Sequence, residues 1–176
     1  MRLLGIDPGI SGALALLEDG NLLSVHDMPV ASIRRGRTDK NEVEGNWLRN
    51  LITELGWIDV CVLEQVGGFA RKKGSSESGQ SASAAFNFGR SCGIAEGVVK
   101  GLSIRVVQVS PMKWHSWVSH RGGKDESRAI ASRLWPASAQ DFVRKKDADR
   151  AEAALMAFGW WRTFGVNEKG SGDVFG

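Results

Sequence analysis

The stretch RLLGIDPGISGALALLE, residues 2 to 18, decides how the rest of the chain folds. Two apolar runs, RLLGID (2–7) and GALALLE (12–18), flank PGIS, and a Pro-Gly turn between such runs reads as a β-hairpin. The next turn, Asp19-Gly20-Asn21, leads into LLSVHDM (22–28), so the chain opens as a three-stranded antiparallel meander. Asp7 closes the first of these strands, directly after residues that belong in a core.

Downstream, helical and strand patterns alternate. Residues 29–41 carry Arg34, Arg35, Arg37 and Lys40 with no periodicity and read as an exposed basic loop. Val43, Trp47, Leu48, Leu51, Ile52 and Leu55 follow helical spacing over 42–55, and Gly56 ends the run. WIDVCVLEQV (57–66) is a nearly continuous β-branched run, the pattern of a central buried strand, with Glu64 near its end. A Gly- and Ser-rich loop fills 67–83, and a helix is predicted over about 84–100. SIRVVQV (103–109) is a further strand. Shorter helices follow Pro111 to Val118 and span Asp125–Leu134; the last runs from near Lys146 to Trp161. This order predicts one mixed α/β domain over 1–164 and a flexible tail over 165–176.

Composition narrows the function classes. Among 176 residues, 42% hydrophobic and 24% charged, disordered, collagen-like and coiled-coil compositions are excluded. The two cysteines, Cys61 and Cys92, have neither CxxC spacing nor a Cys/His cluster, so neither a disulfide framework nor a structural zinc site is expected. Asp7 and Pro8 interrupt the first apolar run too early for a signal peptide, and no run approaches the roughly 20 apolar residues of a membrane span. A cytoplasmic protein without a membrane association is expected. Neither GxxxxGK[ST] nor a GxGxxG after a strand occurs, so no nucleotide cofactor is expected. The net charge of +3 permits a polyanionic partner.

Four carboxylates stand where ionised groups need a partner. Asp7 and Glu64 end apolar strands. Asp149 and Glu152, in DADRAEAALMAFGWW, are spaced i, i+3 on one helix face. Each has an ordinary alternative: Asp7 as a turn residue before Pro8-Gly9, Glu64 paired to a cation, the helical acids complementing a helix N-terminus. Gathered at one sheet edge, however, they would repel one another unless a cation intervened, and oxygen ligands without His or Cys select Mg²⁺ or Mn²⁺.

Taken together, GIDPGISGALALL (5–17), LEQVGG (63–68), FNFGRSCGIAEG (86–97), KDESRAIASRLWP (124–136) and DADRAEAALMA (147–157) resemble the RuvC-like Holliday junction resolvases, closest in flavour to phage and chloroplast members. The resemblance spans nearly the whole chain in order. It implies an RNase H-like fold, with a five-stranded mixed sheet made of the antiparallel meander plus two parallel strands and flanked by helices. It also implies a homodimer acting on branched DNA, the four-way junction of DNA recombination and repair, with paired symmetric nicks.

By the same resemblance Asp7 is the first-strand aspartate, Glu64 the glutamate ending the fourth strand, and Asp149 with Glu152 the acidic pair of the last helix. Glu152 stands where the family often has Asp. DADRAE offers Asp147 as a second aspartate; the i, i+3 relation favours Asp149 as ligand and leaves Asp147 at or before the helix cap. Four such carboxylates could hold two Mg²⁺ ions, with Mn²⁺ able to substitute, about 4 Å apart around a scissile phosphate.

Candidate DNA contacts are Arg37 in the first basic cluster, Arg71, Lys72 and Lys73 in the second, then Lys113, Lys124, Lys145 and Lys146. Phe69, among the glycines after Glu64, is placed either to stack on an unpaired base or to pack under its loop. Ala85, Gly89, Gly93, Gly97 and Gly101 make a bare ridge on the second long helix, for packing on the sheet or on a twofold partner. Trp47, Trp57, Trp135 and Trp160 are expected in the core, and His115 and His120 on the surface. Two other functions remain open: a junction- or RNA-binding module of the same fold with an inert site, and an actin-like ATP-handling domain, which needs a second lobe.

Overall fold

The computed structural model describes residues 1–36, 38–65 and 82–165. In chain order the strands and helices are β1 (Arg2–Asp7), β2 (Ala13–Glu18), β3 (Asn21–Asp27), β4 (Val30–Arg35), β5 (Thr38–Val43), α1 (Gly45–Glu54), β6 (Val60–Glu64), α2 (Ala82–Gly101), β7 (Arg105–Val109), α3 (Pro111–Trp117), α4 (Lys124–Leu134) and α5 (Ala148–Trp160). A 3₁₀ segment, Pro136–Phe142, and a 3₁₀ turn, Lys145–Asp147, connect α4 to α5, and a π-type turn, Trp161–Gly165, follows it.

The central sheet has the order β3-β2-β1-β6-β7. β1 to β3 pair antiparallel, while β6 runs parallel to both β1 and β7. This is the five-stranded mixed sheet flanked by helices expected of an RNase H-like fold. Because side chains alternate along a strand, β1 feeds two cores. Leu3 joins Val60, Val62, Leu155, Met156 and Trp160 beneath α3 to α5. Leu4 and Ile6 join Cys61, Leu63, Leu48, Ile52, Ala95 and Val99 beneath α1 and α2.

Gly5 explains why α5 lies so close to the sheet. A β-carbon there would overlap the Ala153 carbonyl oxygen and touch Ala157. Ala151, Ala153, Ala154 and Ala157 are all fully buried, so the helix meets β1 almost backbone to backbone. Leu155, Met156 and Trp160 anchor it further, each contributing about 1.5–3 kcal/mol by burial. The first turn of α5, with its acids, is therefore fixed relative to the end of β1.

Several expectations need correction. Residues 29–41 are not an irregular loop: β4 and β5 pair as a separate two-stranded hairpin, Arg34 opposite Asp39, turning at Gly36 with φ +64°. Val43 is buried at its base, but Ile33 is exposed, so the ribbon lacks the apolar alternation that betrays a half-buried strand. Glu42 and Val43 belong to β5. The helix starts at Gly45, capped by Glu44, whose carboxylate accepts the Trp47 N–H at 2.7 Å.

Trp135 and Trp160 are core residues, whereas Trp47 and Trp57 are 55% and 72% exposed. His120 is buried rather than superficial. Among the described residues, a β-carbon at Gly89, Gly93, Gly97 or Gly101 would meet nothing within 4 Å, so this glycine row does not pack on the sheet; Ala95 and Val99 do that instead. Of the expected tail, 166–176 lies outside the described residues. Among those described, no helix is long and apolar enough to cross a membrane.

Candidate active site

Strand register brings the first two carboxylates together. Ile6 is paired with Leu63 across the parallel β1–β6 ladder, so Asp7 and Glu64 leave neighbouring strands at the same sheet edge. The turn after β1 holds Asp7 in place: its Oδ1 accepts the Gly9 N–H at 3.3 Å, and Gly12 N–H closes on the Gly9 carbonyl at 2.9 Å. Over this edge lies the first turn of α5. Asp7, Asp149 and Glu152 each present a carboxylate oxygen within 4.8 Å of the others. Glu64 stands beside them, its Oε1 accepting the indole N–H of buried Trp114 at 2.9 Å.

Electrostatics follow from this crowding. Burial, then the charges of Glu64 and Asp149, push the Asp7 carboxyl from 3.8 up to about 7, against the opposing pull of the Gly9 N–H and Lys124. Burial likewise raises Glu64 and Glu152, with neighbouring carboxylates adding to it. Lys124, from the first turn of α4, bonds Asp149 through its ammonium. Partial burial disfavours that ammonium, but Asp149, Glu152 and Asp7 outweigh it and hold the Lys124 proton more tightly than usual. Among the described residues, one lysine thus faces four acids. Such a site favours a further cation, and three clustered carboxylate oxygens fit a hard divalent ion of the Mg²⁺ class.

Asp147 is set apart. It is 1% exposed, and both its oxygens are bound by Arg144: Nη2 at 2.8 Å to Oδ1, Nε at 3.1 Å to each, and the Arg144 backbone N–H at 2.8 Å to Oδ2. This pairing holds its carboxyl below the usual range. The expected helix-cap position is right, but the side chain reaches back to Arg144 and caps the 3₁₀ turn rather than the free N–H groups of α5. Asp149 is the aspartate that joins Asp7 and Glu152.

Of the candidate DNA contacts, Lys113, Lys145 and Lys146 are exposed, and Lys124 is exposed apart from its link to Asp149. Lys113 rims a cavity of about 530 Å³ with Gln65, Arg105, Ser110 and Trp117. Arg37, Phe69, Arg71, Lys72 and Lys73 lie outside the described residues. Sequence reasoning missed three residues that support the acids: Trp114, Ser127, whose Oγ donates to Glu152 Oε1 at 3.1 Å, and His120 behind it. Nothing in the local patterns of Trp114 and Ser127 could have linked them to partners 50 and 25 residues away.

Solved structures share this arrangement of strands and helices. Thermus thermophilus RuvC in complex with Holliday junction substrate matches at a TM-score of 0.60 and 15% identity, covering 93% of this chain and 96% of the other. The chain has a RuvC-like fold. A second Thermus thermophilus RuvC structure matches at a TM-score of 0.54 and 16% identity, with the same coverage. No family model and no curated protein matches the sequence. In the RuvC-like chain Asp7 ends β1, Glu64 ends β6, and Asp149 and Glu152 lie in α5.

Proposed function

We propose that the chain is a metal-dependent, structure-selective endonuclease that resolves four-way DNA junctions by paired symmetric phosphodiester hydrolysis. The observation that carries this reading is the meeting of Asp7, Asp149 and Glu152, with Glu64 on the adjacent strand, at one edge of a RuvC-like sheet. Asp7, Glu64, Asp149 and Glu152 are the residues that would hold Mg²⁺, two ions in the fullest form of the proposal, or Mn²⁺ in its place. The chemistry supplied by such a bound cation is activation of water and neutralisation of charge growing on the phosphate.

The chain's own groups do the rest. Lys124 keeps Asp149 oriented while its head, largely exposed, offers positive charge to an approaching phosphate. Trp114 and Ser127 each fix one glutamate through a single oxygen. Lys113, Lys145 and Lys146 add exposed charge for the phosphate backbone. In each strand a water oxygen bonds to phosphorus and gives up a proton to solvent, the bond from phosphorus to one sugar oxygen breaks, and that oxygen takes a proton from solvent. Two coordinated nicks need two such sites, which a twofold homodimer supplies; the open glycine row of α2 is the face proposed for that contact.

The test is cleavage of a four-way junction beside matched duplex, flap and RNA–DNA hybrid, with Mg²⁺ and with EDTA, for the natural chain and Glu64→Gln. Mg²⁺-dependent cutting confined to the junction and lost in Glu64→Gln is expected. Tight junction binding without cutting would favour the inert module instead.

A further inference from the structure

Glu152 is a long, flexible ligand candidate, and the structure holds it from behind. Ser127 Oγ donates to Glu152 Oε1 at 3.1 Å, and His120 Nε2 lies 2.8 Å from the same hydroxyl. A serine has one proton to give, so when that proton goes to the carboxylate the histidine must donate. The chain of bonds therefore runs in one direction, from His120 Nε2–H to Ser127 Oγ–H to Glu152, and fixes the Nε2–H tautomer. We infer that Ser127 and His120 are positioning residues that hold Glu152 for metal binding, an inference resting on the metal-site reading above.

The surroundings of His120 are built to keep the ring where it is. Ser127 is fully buried and His120 nearly so, with its Nδ1 buried and unpartnered among the described residues. The ring is walled by His115, with centroids 4.2 Å apart, and by Trp114 at 5.6 Å. That same Trp114 binds Glu64, so one aromatic cluster backs both glutamates.

The chain between α3 and α4 is bent to deliver His120 inward. Ser119 adopts φ +56°, a conformation side chains rarely take, and the His120 N–H bonds the His115 carbonyl at 2.9 Å. Beyond it, Glu126 Oε2 ties down the turn by accepting the Arg121 N–H at 2.9 Å and the Gly122 N–H. Strain held by such cross-bracing is characteristic of sites where a side chain must be aimed.

The experiment is Mn²⁺ binding to the full chain without DNA, followed by electron paramagnetic resonance, with junction affinity in EDTA as a control. Ser127→Ala and His120→Phe are expected to weaken Mn²⁺ binding about 10- to 100-fold, the usual effect of losing an outer partner of a metal ligand. His120→Gln, which keeps an N–H near the Nε2 position, should recover most of the loss. Junction affinity in EDTA should not change. In a Glu152→Gln background, Ser127→Ala should have no further effect, a result that general loosening of the core would not give.

Ser127→Ala binding Mn²⁺ within twofold of the natural chain would overturn the positioning role while leaving the metal site standing. Equal losses with and without the Glu152 carboxylate would also overturn it. Should His120→Phe fail to fold, Ser127→Ala and the cycle with Glu152→Gln decide the matter alone. A natural chain that takes up no Mn²⁺ would overturn this inference together with the metal-site reading.

Discussion

Replacing Asp7 with Asn should abolish cleavage and yet make the metal-free protein more stable. At pH 8 the Asp7 carboxylate is ionised in both states, but in the folded chain it is buried beside Glu64 and Asp149, and its carboxyl lies at about 7 rather than 3.8. Each unit of that difference corresponds to about 1.4 kcal/mol, so up to about 4 kcal/mol of destabilisation is relieved when the charge is removed. Burying the new amide takes back roughly half, leaving a gain of about 2 kcal/mol. For a chain of this length the melting temperature should rise by about 4–8 °C.

The pH dependence carries the sign. An acid whose folded value is raised binds more protons folded than unfolded between the two values, so the natural chain loses stability as pH rises from about 4 to about 7 and then levels off. The advantage of Asp7→Asn should therefore more than halve between pH 8 and pH 5. Thermal melting in EDTA at the two pH values measures it, and saturating Mg²⁺ should raise the natural chain but not the variant. A variant that melts below the natural chain at pH 8 in EDTA, or an advantage that does not change with pH, would refute this account of the site's electrostatics.

Asp149→Asn should remove Mg²⁺-dependent cleavage with little loss of melting temperature. Asp147→Ala, which strips Arg144 of its partner, should cost about 2 kcal/mol and keep activity, as chemical denaturation and junction cleavage will show. Neutralising Lys113, Lys145 and Lys146 should flatten the dependence of junction affinity on salt, by about 0.9 in log–log slope for each phosphate that is no longer neutralised; an unchanged slope removes these lysines from the DNA surface. Gly93→Leu adds a side chain where none of the described residues stands within 4 Å of its β-carbon, so the melting temperature should hold while sedimentation reports loss of the dimer; an intact dimer moves the interface elsewhere.

What the sequence makes legible follows from how locally each feature is encoded. RLLGID and WIDVCVLE show where buried strands end, and their parallel pairing then places Asp7 and Glu64 side by side without further information. The i, i+3 spacing of Asp149 and Glu152 is equally local. The β4–β5 hairpin is hidden because its faces are mostly exposed and its register rests on backbone bonds, which leave no hydrophobic period. Trp47 and Trp57 mislead because apolar spacing says nothing of which turns reach a core. Trp114 and Ser127 are invisible in the sequence for the opposite reason: each acts on a glutamate brought near only by tertiary packing, and His120 reaches its glutamate only through Ser127.

The central claim is best tested by mapping the cuts on a four-way junction labelled in turn on each of its four strands, in Mg²⁺. Two nicks at symmetry-related positions in opposing strands, yielding linear duplexes that ligase can seal, are predicted, with neither nick formed by Glu64→Gln. Unpaired or scattered nicks, or cutting that survives Glu64→Gln, would contradict the assignment of a paired resolvase to this carboxylate site.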